Sequence, residues 1–224
     1  MADFPLLNAS ANAAANEAPA PVGPLMPTQL APGGAPIRHR LPGAEAADAG
    51  ITLSQLTLAA LWHVTAWPAA LAEVEAALAE RVDARPPTPG SWTPGADGAA
   101  LVRTGPLAWL VLATAPEARA AAPQRLAGPP LDPSLGTALD LSHARTALLL
   151  AGPALGAVLA RLVSVDTRPA AMAEGRAFTA PIHGHPVQWL ARADGVALLL
   201  PRSFARGLTE LTVETACPYG CDAG

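Results

Sequence analysis

From residue 51 onward the apolar positions of this chain switch repeatedly between a two-residue and a 3.6-residue period. The stretch TLAALWHVTAW (57–67) alternates, so a strand there sets Leu61 and His63 on one face and Trp62 and Val64 on the other. Pro68 follows and suits the first turn of a helix, where its missing N–H has no intrahelical partner to lose. Beyond it, Leu71, Val74, Leu78 and Val82 recur every three or four residues, which predicts one buried stripe with Glu73 and Glu80 turned away. Pro86 and Pro87 end that helix. Next, ALVRT and WLVLA flank Gly105-Pro106-Leu107-Ala108, the composition of a hairpin. Residues 115–136, rich in Pro and Gly, read as a helix fragment and a loop.

The second half repeats the order. TALDLSHARTALLLAGP (137–153) reads as one or two strands leading into a helix opened by Pro153, with Leu155, Val158, Leu159, Leu162 and Val163 as its buried stripe. AFTAPI and PVQWLA are joined across His183-Gly184-His185, and Ala193-Asp194-Gly195 turns the chain into VALLL. A last helix begins near Pro201, with Phe204, Leu208 and Leu211 on one side. Each half therefore opens strand, helix, strand, strand. This predicts an α+β fold of two related units, 51–136 and 137–216, with antiparallel sheets and helices on one face. Residues 1–50 hold much of the Pro, Gly and Asn with no sustained period, and read as an extended or disordered Ala/Pro-rich segment. Residues 217–224 read as a frayed tail.

Composition narrows the classes. The 224 residues are 51% apolar, much of it alanine, and only 14% charged, against roughly 25% in typical soluble domains. So little surface charge suggests that a partner covers part of the surface. A net charge of −4 and a single short basic cluster, Arg38-His39-Arg40, argue against nucleic-acid binding. No run of 18 apolar residues is free of charge and proline, which argues against a membrane span. The opening Met1-Ala2-Asp3-Phe4-Pro5 places an acid where an export signal needs basic residues, so the expected location is cytoplasmic.

Reactive residues are densest in Asp140-Leu141-Ser142-His143-Ala144-Arg145-Thr146. On a strand, Asp140 and Ser142 share one face and His143 takes the other, so they cannot pass a proton as a hydrolase triad does, and no Gly-x-Ser-x-Gly elbow is present. The expected roles are structural: Asp140 and Ser142 hydrogen-bond backbone at a bend, and Arg145 pairs with a carboxylate. His183 and His185 would share a face on a strand, as metal ligands do, but Pro181, Gly184 and Pro186 favour polar residues of a turn. Cys217 and Cys221 in ACPYGC are spaced by three residues, not the two of a redox loop, and are too few for a closed zinc site. Gly152-Pro153-Ala154-Leu155-Gly156 lacks the spacing of a dinucleotide loop. The scattered tryptophans (62, 67, 92, 109, 189) read as core or interface anchors.

Three segments carry a resemblance: LTLAALWHVTAWPAALAEVEAAL, DLSHARTALLLAGPALGAVLARLVSVD and LLLPRSFARGLTELTVETACPYG. In this order they resemble the gamma subunit of heterotetrameric sarcosine oxidase, over roughly residues 52–220. The pairing of Pro201-Arg202-Ser203-Phe204-Ala205 with the Asp140–Thr146 stretch is the most specific part. That family in turn is similar to the aminomethyltransferase fold of the glycine cleavage T-protein, a folate-binding fold. The resemblance implies a complex with alpha, beta and delta subunits that demethylates sarcosine oxidatively to glycine, formaldehyde or methylene-tetrahydrofolate, and hydrogen peroxide. It places FAD, FMN, NAD, tetrahydrofolate and zinc in the other subunits, and no cofactor, metal or catalytic residue in this chain. Asp140, Ser142, His143, Arg145, Arg202, Ser203 and Phe204 are then expected to be structural or to face a partner subunit. Related complexes act on other N-methyl amino acids such as N-methylglutamate. A stand-alone folate-binding one-carbon transferase is the alternative of a different class. Against it, the Lys-Gly-Cys-Tyr-x-Gly-Gln-Glu signature of folate-binding iron–sulfur maintenance proteins is missing, and ACPYGC only echoes it.

Overall fold

A computed structural model describes residues 37–39, 49–115, 126 and 128–224 of the chain. Its strands are β1 (Ile37–His39), β2 (Ile51–Ala66), β3 (Trp92–Pro94), β4 (Ala99–Gly105), β5 (Ala108–Ala115), β6 (Gly136–Asp140), β7 (Arg145–Ala151), β8 (Ala177–Ile182), β9 (His185–Arg192), β10 (Gly195–Pro201) and β11 (Cys221–Ala223). Three α-helices interrupt them: α1 (Leu71–Val82), α2 (Leu155–Leu162) and α3 (Ala205–Ala216). The hydrogen-bonded order is β3-β4-β5-β2-β7-β10-β9-β8, with β6 and β11 also joining β2 and β1 joining β11.

β2 is the longest strand because it serves both ends of this arrangement. Thr52–Leu56 pairs with β7, whereas Thr57–Thr65 pairs with β5 and Trp62–Ala66 pairs with β6. Its register shifts between Leu58 and Ala60, a bulge that bends the strand where it changes partners. The run from β6 to β7 makes the reverse journey, starting beside the C-terminal half of β2 and finishing beside the N-terminal half. All pairings are antiparallel except β11 on β2, which is parallel and departs from the all-antiparallel expectation.

Alternation along the strands sorts their side chains into layers. Trp62, Val64, Leu101, Trp109 and Val111 pack against Val74, Leu78 and Val82 of α1. Ile51, Leu53, Leu148, Leu150, Trp189, Leu198 and Leu200 pack against Val158, Leu159 and Leu162 of α2 and Leu208 of α3. Between the two parts of the sheet, Leu61, Ala100, Val102, Leu110 and Leu112 meet Ala147, Ala177, Leu190, Ala197 and Leu199. The layers therefore run helix, sheet, sheet, helices, and each leucine or valine fully buried in them contributes about 1.5–3 kcal/mol.

The first helix forms as its pattern predicts: Val74, Leu78 and Val82 are buried, while Glu73 and Glu80 are exposed. It ends before Pro86, at Asp83, whose left-handed backbone (φ 53°) lets the N–H cap Ala79 and Glu80 carbonyls. The last helix differs from expectation. Phe204 is 46% exposed, and the buried side chains of α3 are Ala205, Leu208, Thr209, Thr212 and Ala216. Thr209 and Thr212 are buried because each hydroxyl donates to the carbonyl four residues back, Ala205 O and Leu208 O, both at 2.7 Å.

The C-terminus is not frayed. After α3, Cys217–Tyr219 makes one tight turn, and β11 then inserts beside β2 with Cys221 and Ala223 buried at 0% and 1% exposure. Gly224 N–H donates to Leu53 O at 2.9 Å. On its other edge β11 pairs with Ile37–His39, inside the segment read as extended or disordered. The rest of residues 1–48, and most of the helix fragment expected within 115–136, lie outside the described residues; Leu126 is described and buried. Removing Cys221–Gly224 is expected to cost about 2–4 kcal/mol through lost ladder bonds and exposed β2 surface. A urea midpoint unchanged by this truncation would show that β11 contributes nothing to the sheet.

Candidate functional site

The Asp140–Thr146 stretch is the corner at which the chain leaves the α1 side of the molecule and enters the α2 side, between β6 and β7. One backbone bond and one side-chain bond fix it to Leu61 in the middle of β2. Leu141 N–H donates to Leu61 O at 2.8 Å, and Leu61 N–H donates to Ser142 Oγ at 2.9 Å. Ala144 N–H closes a turn onto Leu141 O at 2.9 Å. Asp140 Oδ1 accepts from Ser142 N–H at 2.8 Å, an Asx turn that sets the bend. Ser142 is half-buried, Asp140 and His143 are exposed, and none of the three forms a nucleophile–base pair.

The second motif meets the first here. Arg145 sits opposite Pro201 across β7 and β10, and Arg202 N–H donates to Ala144 O at 2.9 Å. Phe204, exposed, stacks on His185 with ring centroids 3.8 Å apart. Leu139, 59% exposed, lies opposite His63 on the β6 edge of β2. Asp140, Ser142, His143, Arg145 and Arg202 are thus brought to one corner, with Ser203 and Phe204 continuing from it.

Arg145 is half-buried and, contrary to expectation, has no carboxylate partner among the described residues. It lines a cavity of about 180 Å³ with Leu61, His63, Thr104, Leu110, Leu141, Thr179, Pro186, Gln188 and Leu199. A larger cavity of about 440 Å³ opens elsewhere between the sheet layers, where Ala100, Ala147 and Ala197 leave room beside Leu112, Leu190 and Leu199. Its charged groups include Arg192 and Asp194, bonded to each other at 2.7 and 2.9 Å. The Arg192 guanidinium holds the Asp194 carboxyl below the usual carboxylate range. The most perturbed acid, Asp166, is brought to about 2 by hydrogen bonds from Arg168 on an exposed loop, far from any arrangement that would use it chemically.

The remaining motifs stay apart. His183 occupies the turn between β8 and β9 with a left-handed backbone (φ 50°), and His185 is committed to Phe204. Cys217 is half-buried and Cys221 buried, and no disulfide joins them. No cluster of three or more His, Cys, Asp or Glu suited to a metal exists among the described residues. No helix among them is long and apolar enough to cross a membrane. Sequence reading missed both cavities. For the larger one the signal was the alanines on the inward faces of β4, β7 and β10, indistinguishable in a chain this rich in alanine.

Among known proteins, no family model and no curated protein matches the chain. Solved structures do, and they define the class: the fold is that of a sarcosine oxidase subunit and of the aminomethyltransferases. A chain of heterotetrameric sarcosine oxidase from Corynebacterium sp. U-96, solved with pyrrole 2-carboxylate, is 25% identical and superposes with a TM-score of 0.65 over 79% of this chain and 89% of that one. The glycine cleavage system aminomethyltransferase T from Bartonella henselae is 19% identical, with a TM-score of 0.50 over 74% of this chain and 46% of that one. The second likeness concerns the fold alone, and this chain spans less than half of that protein.

Ser142→Ala removes the acceptor for the part-buried Leu61 N–H and is expected to cost about 1–3 kcal/mol. Ser142→Thr, which keeps the hydroxyl, is expected to recover most of it. Equal unfolding midpoints for Ser142→Ala and wild type would show that the corner does not depend on this bond.

Proposed function

We propose that this chain is the gamma subunit of a heterotetrameric sarcosine oxidase-type complex, an accessory subunit that carries no catalytic residue of its own. The observation that carries the reading is its likeness, at 25% identity, to 89% of a single chain of such an oxidase. Two further features support it. The motif corner presents exposed Leu139 and Phe204, apolar surface of the kind that assembly covers. The reactive side chains of that corner are spent on its own backbone: Asp140 on Ser142 N–H and Ser142 on Leu61 N–H.

On this reading the alpha, beta and delta partners hold FAD, FMN, NAD, tetrahydrofolate and zinc, and the complex converts sarcosine to glycine. The formaldehyde is released or captured as methylene-tetrahydrofolate, and oxygen is reduced to hydrogen peroxide. The same architecture suits a complex for another N-methyl amino acid, such as an N-methylglutamate dehydrogenase, because a subunit outside the active site carries no imprint of the substrate.

The aminomethyltransferase likeness supplies a second reading, a stand-alone folate-binding protein. Titration of the isolated full-length chain separates the two. The subunit reading predicts a colourless protein without flavin absorbance, no sarcosine-dependent oxygen uptake and no saturable tetrahydrofolate binding. Stoichiometric binding of tetrahydrofolate by the chain alone would overturn it in favour of the second reading.

A further inference from the structure

We propose that the cavity at the Asp140–Thr146 corner is a pocket for a carboxylate attached to a small apolar body. Its lining holds one guanidinium, Arg145, one imidazole, His63, and no carboxylate. Of the other polar side chains lining it, Thr104 is exposed, and Gln188 and Thr179 are partly committed. Gln188 Nε2 donates to Phe178 O at 2.9 Å, and Gln188 Oε1 accepts from Thr179 Oγ1 at 2.8 Å. Arg145 and His63 make no side-chain hydrogen bond or ion pair among the described residues.

The Arg145 guanidinium is half-buried and has no side-chain acceptor among the described residues, which leaves its donors available to an anion in the pocket. Two other half-buried arginines are paired with acids, Arg103 with Glu75 and Arg192 with Asp194, whereas Arg81 and Arg202 are not, among the described residues. Unlike those, Arg145 lines a cavity with no acid in it, and the ligand that matches a guanidinium best is a carboxylate, held by two parallel N–H···O bonds. Leu61, Leu110, Leu141 and Leu199 supply the wall for the apolar body. A volume of about 180 Å³ equals about six water molecules of liquid. That is room for a compact monoacid. The pocket is also held in place before anything binds, since Leu141 and Ser142 are bonded to Leu61 and Arg145 opens a paired strand.

The carboxylate has two sources, a free small acid or an Asp or Glu side chain of a partner subunit, and one probe distinguishes them. Benzoate is titrated into the full-length chain by NMR or calorimetry, with benzamide as the uncharged match in shape. Saturable benzoate binding is expected, on the order of millimolar, with shifts at Leu61, Leu141 and Leu199. Benzamide is expected to bind at least tenfold more weakly. Arg145→Gln should weaken benzoate at least tenfold while its urea midpoint stays at or above that of wild type, since the unpaired charge is gone. If Arg145→Gln does not fold, Arg145→Lys and His63→Gln provide the comparison, each expected to weaken benzoate severalfold.

Equal binding of benzamide, or undiminished benzoate binding by the folded Arg145 variants, overturns the proposal, as does absence of binding by both the chain and its assembled complex. In the complex, the effect is read as the difference between assemblies carrying wild-type and Arg145→Gln chains. Benzoate bound in this difference assigns the pocket to a free acid. Binding to the isolated chain alone assigns it to a partner's carboxylate already in place. These outcomes are independent of the subunit reading, which fails on tetrahydrofolate binding and not on benzoate.

Discussion

Two antiparallel stretches of chain, β2 and the run from β6 through β7, must each cross from one sheet layer to the other while remaining paired with their neighbours. A strand that changes layers leaves backbone groups at the crossing without ladder partners, and an unpaired buried N–H or C=O costs as much as a lost hydrogen bond. β2 handles its crossing with a bulge near Leu58–Ala60. The opposite run breaks at Leu141, and its loose ends are tied to one residue: Leu61 accepts from Leu141 N–H through its carbonyl and donates through its N–H to Ser142 Oγ. The helices on both outer faces take their places from the strands this junction aligns.

The same crossing explains where space is left. Sheets packed face to face sit about 10 Å apart when large side chains interdigitate. Here the layer between them is built largely of alanine and leucine, with Ala100, Ala147, Ala177 and Ala197 on the inner faces. Small residues opposite leucines leave the larger gap, and both cavities border Leu199. In the larger gap, Arg192 and Asp194 neutralise each other. At the smaller one, Arg145 is fixed in position by the corner and left without an acid, so the architecture that solves the backbone problem also creates a cationic recess.

Much of this was legible from side-chain period. The faces of Leu61, Trp62, His63 and Val64, the stripe of α1, and the hairpins at Pro106-Leu107 and His183-Gly184 follow from alternation and turn chemistry alone. Three things were hidden for physical reasons. Thr209 and Thr212 look polar in sequence but bury by bonding their own helix, so the stripe of α3 was drawn through Phe204 instead. Cys217–Gly224 has too few residues to show a period, and its strand exists only because β2 offers a free edge. Arg145 was expected to have a carboxylate because buried arginines ordinarily do; nothing local in Ala144-Arg145-Thr146 says that no acid would come near. That Asp140 and Ser142 brace the bend was readable, since both residue types bond nearby backbone.

At the most distinctive motif Asp140 and Ser142 are turned to structural use, and under the proposed function the chain is one component of a larger complex. The motif then matters for shape, and its exposed flank of Leu139 and Phe204 for assembly. The most direct test is native mass spectrometry of the particle recovered from source cells through a tag on this chain. The account predicts one copy of it with one copy each of three different partners, carrying bound flavin. A homo-oligomer or a flavin-free monomer would contradict it.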